Sequence, residues 1–279
     1  MPEQPSDARS ADHGAASPPA LGLALGGGAV LGFAHIGLLS ALTEAGLSVD
    51  RVAGTSAGAI VAGLHAFGVD PGRMREILSP LTWRKVSGFS RTSMGLLSNE
   101  PMAELLAAEV GDDARIEDAR TPLAIVAADV HTGRRVVLGR GLLGDAVRAS
   151  AAIPGIYTPV QIEGRLLVDG GIVENVPVRA VRDLGADVAV AATLGDALDF
   201  DRVHTLLGVL TNSFLITVNT ATRLSLELEP AEVVIEPDLE PHNHWDMKQR
   251  DELIDKGYAA GREALPRIRA ALEAATGSG

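Results

Sequence analysis

The sequence predicts an α/β protein, a three-layer α/β/α sandwich around a mostly parallel, partly mixed central sheet. Three observations predict this fold class. Short apolar runs alternate with segments of helical apolar spacing, and parallel strands need helical crossovers of this kind. Residues 21–68 follow the order strand, helix, strand, helix. Turn-forming residues from Asp129 to Gly133 join two apolar runs and predict an antiparallel hairpin, which makes the sheet mixed.

Glycines mark the first elements. The apolar run Leu21–Leu25 ends in three glycines, as expected of a buried strand that enters a tight turn. Apolar residues then recur at helical spacing until Gly46, which is a typical helix stop. A second strand, Val49–Ala53, precedes a glycine-rich pentapeptide and an apolar helix that ends near Gly68.

Later apolar runs predict five more strands and two long helices. The helices are expected at Val203–Leu228 and Lys248–Ala275. Polar residues such as Thr211 and Asn212 interrupt the first of them, which favours a helix packed in the protein core over one in lipid. The five strands are Leu123–Ala128, Arg135–Leu138, Arg165–Val168, Val188–Ala192 and Val233–Ile235.

The chain length of 279 residues fits one large domain. Residues 1–20 are rich in Ser, Pro and Ala and lack the cationic start and apolar core of a secretory signal, so they are predicted to be a disordered tail. Residues 21–276 are predicted to form a single catalytic domain, with fraying expected from Thr276 to Gly279. The expected location is cytoplasmic, with peripheral contact to a membrane left open.

Composition excludes several classes of function. A net charge of −12 and an aromatic content of 3% disfavour nucleic-acid binding. The chain has no cysteine, which excludes disulfides, thiolate metal sites and thiol nucleophiles. A nucleophile in this chain must therefore be an oxygen or a nitrogen.

Residues 70–98 differ from the rest of this acidic chain. They contain five basic residues and two acidic ones, with aromatic and methionine side chains between them. Two interpretations stay open: an irregular solvated connection, or a lid or approach surface for substrate. The basic residues are Arg73, Arg75, Arg84, Lys85 and Arg91.

The pentapeptide Gly54-Thr55-Ser56-Ala57-Gly58 has the spacing of a nucleophile elbow, in which small neighbours permit a strained strand-to-helix turn that exposes the serine. The free N–H groups at the start of the next helix, beginning with Ala57, suit a developing oxyanion. A helix-capping serine in a glycine-rich turn is the alternative.

Gly26, Gly27 and Gly28 support the catalytic interpretation, because a loop without side chains is able to approach a reacting carbonyl and supply further oxyanion donors. The same glycines approximate a dinucleotide-binding turn. That alternative is disfavoured because no acidic residue ends the second strand to bind a ribose, and no lysine follows as in a phosphate-binding loop.

A reactive serine needs a base, and Asp169 is the best candidate. It ends a short apolar run and is followed by two glycines, although this pattern taken by itself favours an ordinary Asp-Gly turn. As a base it requires a desolvated pocket that raises its pKa. None of the histidines has a compelling context, although the order Ser-Asp-His of α/β-hydrolases is open to His204, His242 and His244; the others are His13, His35, His65 and His131.

Taken together, three motifs resemble the patatin-like phospholipase family. They are LGLALGGGAVLGFAHIG from residue 21, GTSAG from 54 and DGG from 169, and ASAAIPG from 149 adds to the likeness. The resemblance implies a Ser-Asp dyad of Ser56 and Asp169 and an oxyanion hole in the glycine loop. It implies neither a metal nor a cofactor.

One position departs from the family pattern. Many members carry a basic residue where this chain has Leu31, so the recognition of an anionic substrate group is open. Leu31 and Arg148 are therefore candidate substrate contacts, with Arg148 able to compensate for the missing charge or to be an ordinary surface residue.

The leading hypothesis is a serine acyl hydrolase of the phospholipase A or lysophospholipase type that acts on lipid or fatty-acyl esters. The alternatives are a soluble carboxylesterase or thioesterase for short acyl chains, and a non-catalytic lipid-binding protein of the same fold. Composition and motifs leave the oligomeric state, head group and acyl-chain length undetermined.

Overall fold

The computed structural model describes residues 18–195 and 204–277. Residues 1–17 of the predicted tail lie outside this part, as do the predicted helix start at Val203 and the last two residues of the predicted frayed end. The described residues form ten strands and nine α-helices. The predicted α/β fold class is confirmed.

Eight of these strands form one sheet. The strands are β1 (Leu21–Leu25), β2 (Arg51–Thr55), β3 (Gly88–Phe89), β4 (Leu97–Ser98), β5 (Leu123–Asp129), β6 (Arg135–Leu138), β7 (Val160–Ile162), β8 (Arg165–Asp169), β9 (Val188–Ala192) and β10 (Val233–Ile235). The sheet has the order β10-β9-β1-β2-β5-β8-β7, with β6 also paired to β5, while β3 and β4 form a separate two-stranded sheet.

The sheet is mixed, as predicted. The five strands from β10 to β5 are parallel, whereas β6 and β8 pair with β5 in the antiparallel sense and β7 pairs with β8 likewise. The second strand begins two residues later than its apolar run predicts. Three short strands, β3, β4 and β7, were not predicted, since runs of two or three residues carry little periodicity.

Helices cover both faces of the sheet. They are α1 (Ala34–Glu44), α2 (Ala57–Ala66), α3 (Pro71–Leu78), α4 (Trp83–Val86), α5 (Glu100–Val110), α6 (Leu143–Ser150), α7 (Val178–Asp183), α8 (Leu206–Leu228) and α9 (Arg250–Thr276). Alternate residues of β1 face opposite layers: Leu23 packs with α1, α2 and α9, and Ala24 packs with α7. This alternation follows from the two-residue period of a strand and gives the three layers.

The helix α8 differs from its prediction as a core helix. Its buried face mixes polar residues with Leu215 and Val218, and Thr211 and Thr222 bond back to carbonyl groups of the helix itself at 2.9 and 2.8 Å. Its other large apolar residues lie outward, with Leu206 78% and Leu228 81% exposed. The prediction of a core helix is wrong for this outward face. The spacing of apolar residues along the sequence does not reveal which face of the helix the rest of the protein buries.

Residues 70–98 are folded. They form α3, α4 and the β3–β4 hairpin, which replaces the interpretation as an irregular connection. Arg73 bonds Glu109, and Arg75 bonds Asp251, so the start of the segment is tied to α5 and α9.

Candidate active site

Ser56 occupies a strained turn between β2 and α2. Its backbone has φ 54° and ψ −121°, a left-handed conformation that is unusual for a residue with a side chain. A Cβ atom at Gly54 would overlap the backbone of Gly58, and one at Gly58 would overlap Leu25 at the end of β1. The glycines of the pentapeptide are therefore required by close backbone packing, and the turn has the geometry expected of a nucleophile elbow.

A buried serine on α6 holds this turn. The amide of Ser56 donates to Ser150 Oγ at 2.8 Å, and the Ser150 hydroxyl donates to the carbonyl oxygen of Val126 on β5 at 2.6 Å. Ser150 is fully buried. The sequence reasoning did not assign this residue a role; the signal was its place in the ASAAIPG motif, between alanines.

Two amides of the glycine loop are engaged within the fold. Gly26 N–H donates to the carbonyl oxygen of Ala192 at 2.9 Å, and Gly27 N–H donates to Asn175 Oδ1 at 3.0 Å. No described residue accepts a hydrogen bond from the amides of Gly28 or Ala57. Among the described residues, Gly28 and Ala57 are therefore the two of the four predicted oxyanion donors whose amides have no acceptor, and their role stays a prediction.

The loop lies directly against the elbow. A Cβ atom at Gly27 would come within 2.9 Å of the Ser56 Cβ, so a side chain at that position would displace the serine. The next non-glycine residue, Ala29, is held at φ 50°. Asn175 holds the glycine loop through its hydrogen bond to Gly27. Because Asn175 lies six residues after Asp169, this bond joins the glycine loop to the loop that follows β8.

His35 supports the same loop from α1. Its Nε2 lies 2.8 Å from the carbonyl oxygen of Gly26, and burial lowers the pKa of the imidazole to about 4. A neutral ring that donates from Nε2 fits both observations. The contact fixes the loop and leaves His35 bonded to backbone rather than to Ser56.

Asp169 ends β8 and lies beside Ser56. Its Oδ1 accepts the amide of Gly171 at 2.8 Å, whereas within the described residues Oδ2 is buried and reached by no hydrogen bond of ordinary geometry. Burial raises the pKa of this carboxyl to about 6. The nearby Ser56 side chain and the Gly171 amide lower the pKa in part. The structure thus brings together the predicted nucleophile and base.

Two cavities adjoin Ser56. One has a volume of about 100 Å³ and is lined almost entirely by apolar side chains, among them Ile36, Ile60, Leu78 and Met102. The other, about 30 Å³, is lined by the glycine loop, Asp169, Asn175 and residues of α8. The hydroxyl therefore stands between an apolar cavity and a smaller one of mixed lining, which we call the polar cavity because it contains Asp169 and Asn175.

The two candidate substrate contacts lie elsewhere. Leu31 is fully buried and packs with Leu194 and Leu253, and the cavity walls formed by the described residues do not include it. Arg148 contacts Glu100 at 3.6 Å and Asp145 at 3.4 Å and likewise lines neither cavity. Leu31 therefore lies in the core among apolar neighbours, and Arg148, with a side chain 22% exposed, lies among carboxylates; contact of either residue with substrate stays a prediction.

The described residues contain neither a metal-binding cluster nor a membrane-spanning helix. In residues 18–195 and 204–277, no group of three or more His, Asp or Glu side chains is arranged to hold a metal ion. In the same residues, no helix combines the length and apolarity needed to cross a membrane.

The family model for patatin-like phospholipases matches residues 23–182, more than half of the chain. The chain belongs to this family. The matched region contains the glycine loop, the elbow and Asp169, which are the motifs that carried the resemblance.

Relatives extend the match beyond this region. An uncharacterized NTE family protein of Mycobacterium bovis is 38% identical over 184 residues, which are 64% of this chain and 50% of that protein. A lysophospholipase, nte1, of Emericella nidulans is 28% identical over 90% of this chain and 18% of that protein. The chain thus spans half the length of the mycobacterial relative and less than a fifth of the fungal one.

Solved structures share the fold. VipD of Legionella pneumophila has a TM-score of 0.63 at 15% identity, over 90% of this chain and 67% of that one. ExoU of Pseudomonas aeruginosa, in complex with SpcU, has a TM-score of 0.52 at 17% identity, over 90% of this chain and 52% of that one. Both are similar to this chain in fold.

Proposed function

We propose that this protein is a serine acyl hydrolase that cleaves ester bonds of lipids, of the phospholipase A or lysophospholipase type. The observation that carries the proposal is the strained Ser56 beside a buried Asp169 whose pKa is raised to about 6. A carboxyl with this pKa is mostly ionised at neutral pH and is a stronger base than an exposed aspartate.

In the proposed reaction, Ser56 Oγ attacks the ester carbonyl carbon while Asp169 takes the hydroxyl proton. The amides of Gly28 and Ala57 and the N-terminal end of α2 stabilise the negative charge on the carbonyl oxygen. Asp169 then returns the proton to the leaving alcohol, which leaves an acyl-serine. Water, deprotonated by Asp169, hydrolyses that ester and regenerates the hydroxyl of Ser56.

The two cavities support an orientation for the substrate. The apolar cavity suits the acyl chain, because burial of methylene groups there removes apolar surface from water. The polar cavity suits the leaving alcohol, which needs the proton held by Asp169. The lysophospholipase named among the relatives supports a lipid as the source of that acyl chain.

One observation favours a second candidate, a carboxylesterase or thioesterase for short acyl chains. The apolar cavity of about 100 Å³ is smaller than an engineered cavity of roughly 150 Å³ that binds one benzene molecule. A long chain would then extend beyond the cavity or require its walls to move.

Labelling with a fluorophosphonate probe tests the nucleophile. The wild-type chain is expected to become labelled and Ser56→Ala is expected to stay unlabelled, because the probe reacts with an activated serine. Ser40→Ala serves as the matched control, since Ser40 lies on α1 and its hydroxyl bonds the Ile36 carbonyl oxygen. Equal labelling of Ser56→Ala and wild type would exclude Ser56 as the nucleophile.

Hydrolysis of two substrates separates the candidates. We expect the wild-type chain to cleave a lysophospholipid in micelles, with a rate that rises when the lipid aggregates. A short-chain esterase would cleave a monomeric butyryl ester and leave the micelles intact. Ser56→Ala is assayed on both substrates beside the wild-type chain, and an activity that this variant lacks belongs to this site.

A further inference from the structure

The segment from α4 to β4 exposes a group of apolar and cationic side chains. Phe89 is 95% exposed, Leu96 62% and Met94 52%. Single exposed apolar side chains are normal on a surface, whereas several in one short segment form a patch of the kind that marks interaction sites. We call the group the hairpin surface; its members are Arg84, Lys85, Phe89, Arg91, Met94 and Leu96.

The five cations of residues 70–98 divide into two groups. Arg73 contacts Glu76 and Glu109, and Arg75 contacts Asp251 at 2.8 Å. Arg84, Lys85 and Arg91 are exposed and form no ion pair with any described residue. From residue 77 to residue 99 the chain contains no acidic residue. The local excess of positive charge therefore belongs to the hairpin surface alone.

The same segment forms a wall of the apolar cavity. Trp83 and Val86 line the cavity next to Arg84 and Lys85. The indole N–H of Trp83 donates to the carbonyl oxygen of Trp245 at 2.8 Å, and Ser87 Oγ lies 2.8 Å from the hydroxyl of Tyr157, another lining residue. The exposed residues are thus joined to the site through a few well-bonded neighbours.

We propose that the hairpin surface docks on a lipid surface that carries anionic head groups. Phe89, Met94 and Leu96 would enter the acyl boundary while the three cations contact phosphate or carboxylate groups. The chain as a whole carries −12 and is repelled by such a surface, so the unpaired cations orient it. The exposed apolar face of α8 contains no cation before Arg223. Its charge therefore gives no preference for an anionic surface, in contrast to the hairpin surface.

The inference rests on the proposed function for its purpose, because docking here brings a lipid close to the apolar cavity. Binding is nevertheless measured apart from turnover. The full chain carrying Ser56→Ala is sedimented with vesicles of phosphatidylcholine, with or without phosphatidylglycerol. We expect strong binding when phosphatidylglycerol is present, weak binding when it is absent, and loss of binding at high salt.

Two added substitution sets test the residues. Replacing Arg84, Lys85 and Arg91 by Gln is expected to weaken partitioning by on the order of a hundredfold. The matched control replaces Arg134, Arg140 and Arg165 by Gln, which are exposed, lack ion pairs within the described residues and give the same net charge. The control is expected to bind much as the parent does.

The apolar contribution is tested by Phe89→Ser with Met94→Ser, against Val130→Ser with Val137→Ser. Val130 and Val137 are also exposed, at 50% and 39%. We expect the hairpin pair to lose roughly tenfold or more in partitioning, since each buried methylene group adds to membrane affinity. The same substitutions made with Ser56 intact are expected to keep activity on a soluble ester, which reports an intact fold.

Equal loss of binding in a test set and its control would overturn the proposal, as would equal binding to vesicles with and without phosphatidylglycerol. Self-association of the wild-type chain that Phe89→Ser and Met94→Ser abolish would identify a second copy as the occupant and would also overturn it. Failure of the proposed function is distinguishable, because a chain inert toward every ester would leave the vesicle result standing.

Discussion

The two sides of Ser56 are built by different kinds of interaction. On the polar side, the loops after β1 and β8 are joined by hydrogen bonds. The buried amides of Gly26 and Gly27 donate to the Ala192 carbonyl oxygen and to Asn175 Oδ1. On the apolar side, most of the wall consists of apolar side chains from α1 to α5, such as Ile36, Ile60 and Leu78, which have no polar atom to bond. Trp83 and Tyr157 also line this wall and are hydrogen-bonded to their neighbours.

This difference separates chemistry from selectivity. Hydrogen-bonded backbone has a narrow range of allowed geometry, so a change on the polar side should alter rates steeply. Apolar packing tolerates changes of shape at modest cost, so a change on the apolar side should alter which ester is preferred. Three substitutions test this contrast, from the largest expected effect to the smallest.

Asp169→Asn should have the largest effect. The substitution keeps the shape of the side chain but removes the base, and loss of a general base lowers kcat by about 10²- to 10⁴-fold. We expect KM for a soluble ester to change little, because the apolar cavity is untouched. Steady-state kinetics of Asp169→Asn and wild type measure both quantities; a kcat within threefold of wild type would exclude Asp169 as the base.

The same substitution should stabilise the fold above pH 6. Because burial raises the pKa of Asp169 from 3.8 to about 6, the folded chain holds this proton more tightly than the unfolded chain. The contribution of the Asp169 carboxyl to the free energy of unfolding is therefore largest below pH 3.8, and it falls by about 3 kcal/mol as pH rises through 6. Asp169→Asn should remove that loss, giving a higher Tm than wild type at pH 8 and a similar one at pH 4.

Asp129→Asn is the control with the opposite sign. Hydrogen bonding by the His131 amide lowers the pKa of Asp129, so its ionised form stabilises the fold at neutral pH and this stability is lost as pH falls. The substitution should lower Tm at pH 8. If Asp169→Asn had a lower Tm than wild type at pH 8, the buried charge of Asp169 would not destabilise the fold, contrary to the prediction.

Ser150→Ala should have an intermediate effect. It leaves the Ser56 amide and the Val126 carbonyl oxygen without partners, which costs about 1–3 kcal/mol of stability and loosens the elbow. We expect kcat to fall by roughly tenfold to a hundredfold with KM nearly unchanged, since the defect lies in the geometry of attack. Ser40→Ala is the control, and a rise in KM at constant kcat would contradict a positioning role for Ser150.

The sequence predicted those parts of the site that depend on local backbone geometry. Three glycine-containing motifs stand at the ends of strands β1, β2 and β8, and the strain at Ser56 is readable from its glycine neighbours. The longer strands were found because apolar alternation and length are local properties. The approach of Asp169 to Ser56 followed from the family resemblance.

Other parts depend on contacts between distant residues and left no local signal. Ser150 acts on Ser56 across 94 positions, and Asn175 acts on Gly27 across 148. The engagement of the Gly26 amide by Ala192 likewise depends on the pairing of β1 with β9. Sequence spacing showed that α8 is apolar, but only the packing of its neighbours determines which face is buried.

Ile60→Phe should have the smallest effect, a change in selectivity. Ile60 is half-buried on α2 and lines the apolar cavity, so a larger ring there leaves less room for an acyl chain. We expect the ratio of kcat/KM for an octanoyl over a butyryl ester to fall about tenfold, since methylene groups are discriminated at roughly this level. Ile60→Ala should raise the ratio, and Ile60→Leu, with equal volume, should leave it nearly unchanged. If Ile60→Phe instead slowed both esters equally, the two sides of Ser56 would not be separable, because a change in the apolar wall would then reach the hydrogen-bonded geometry of attack.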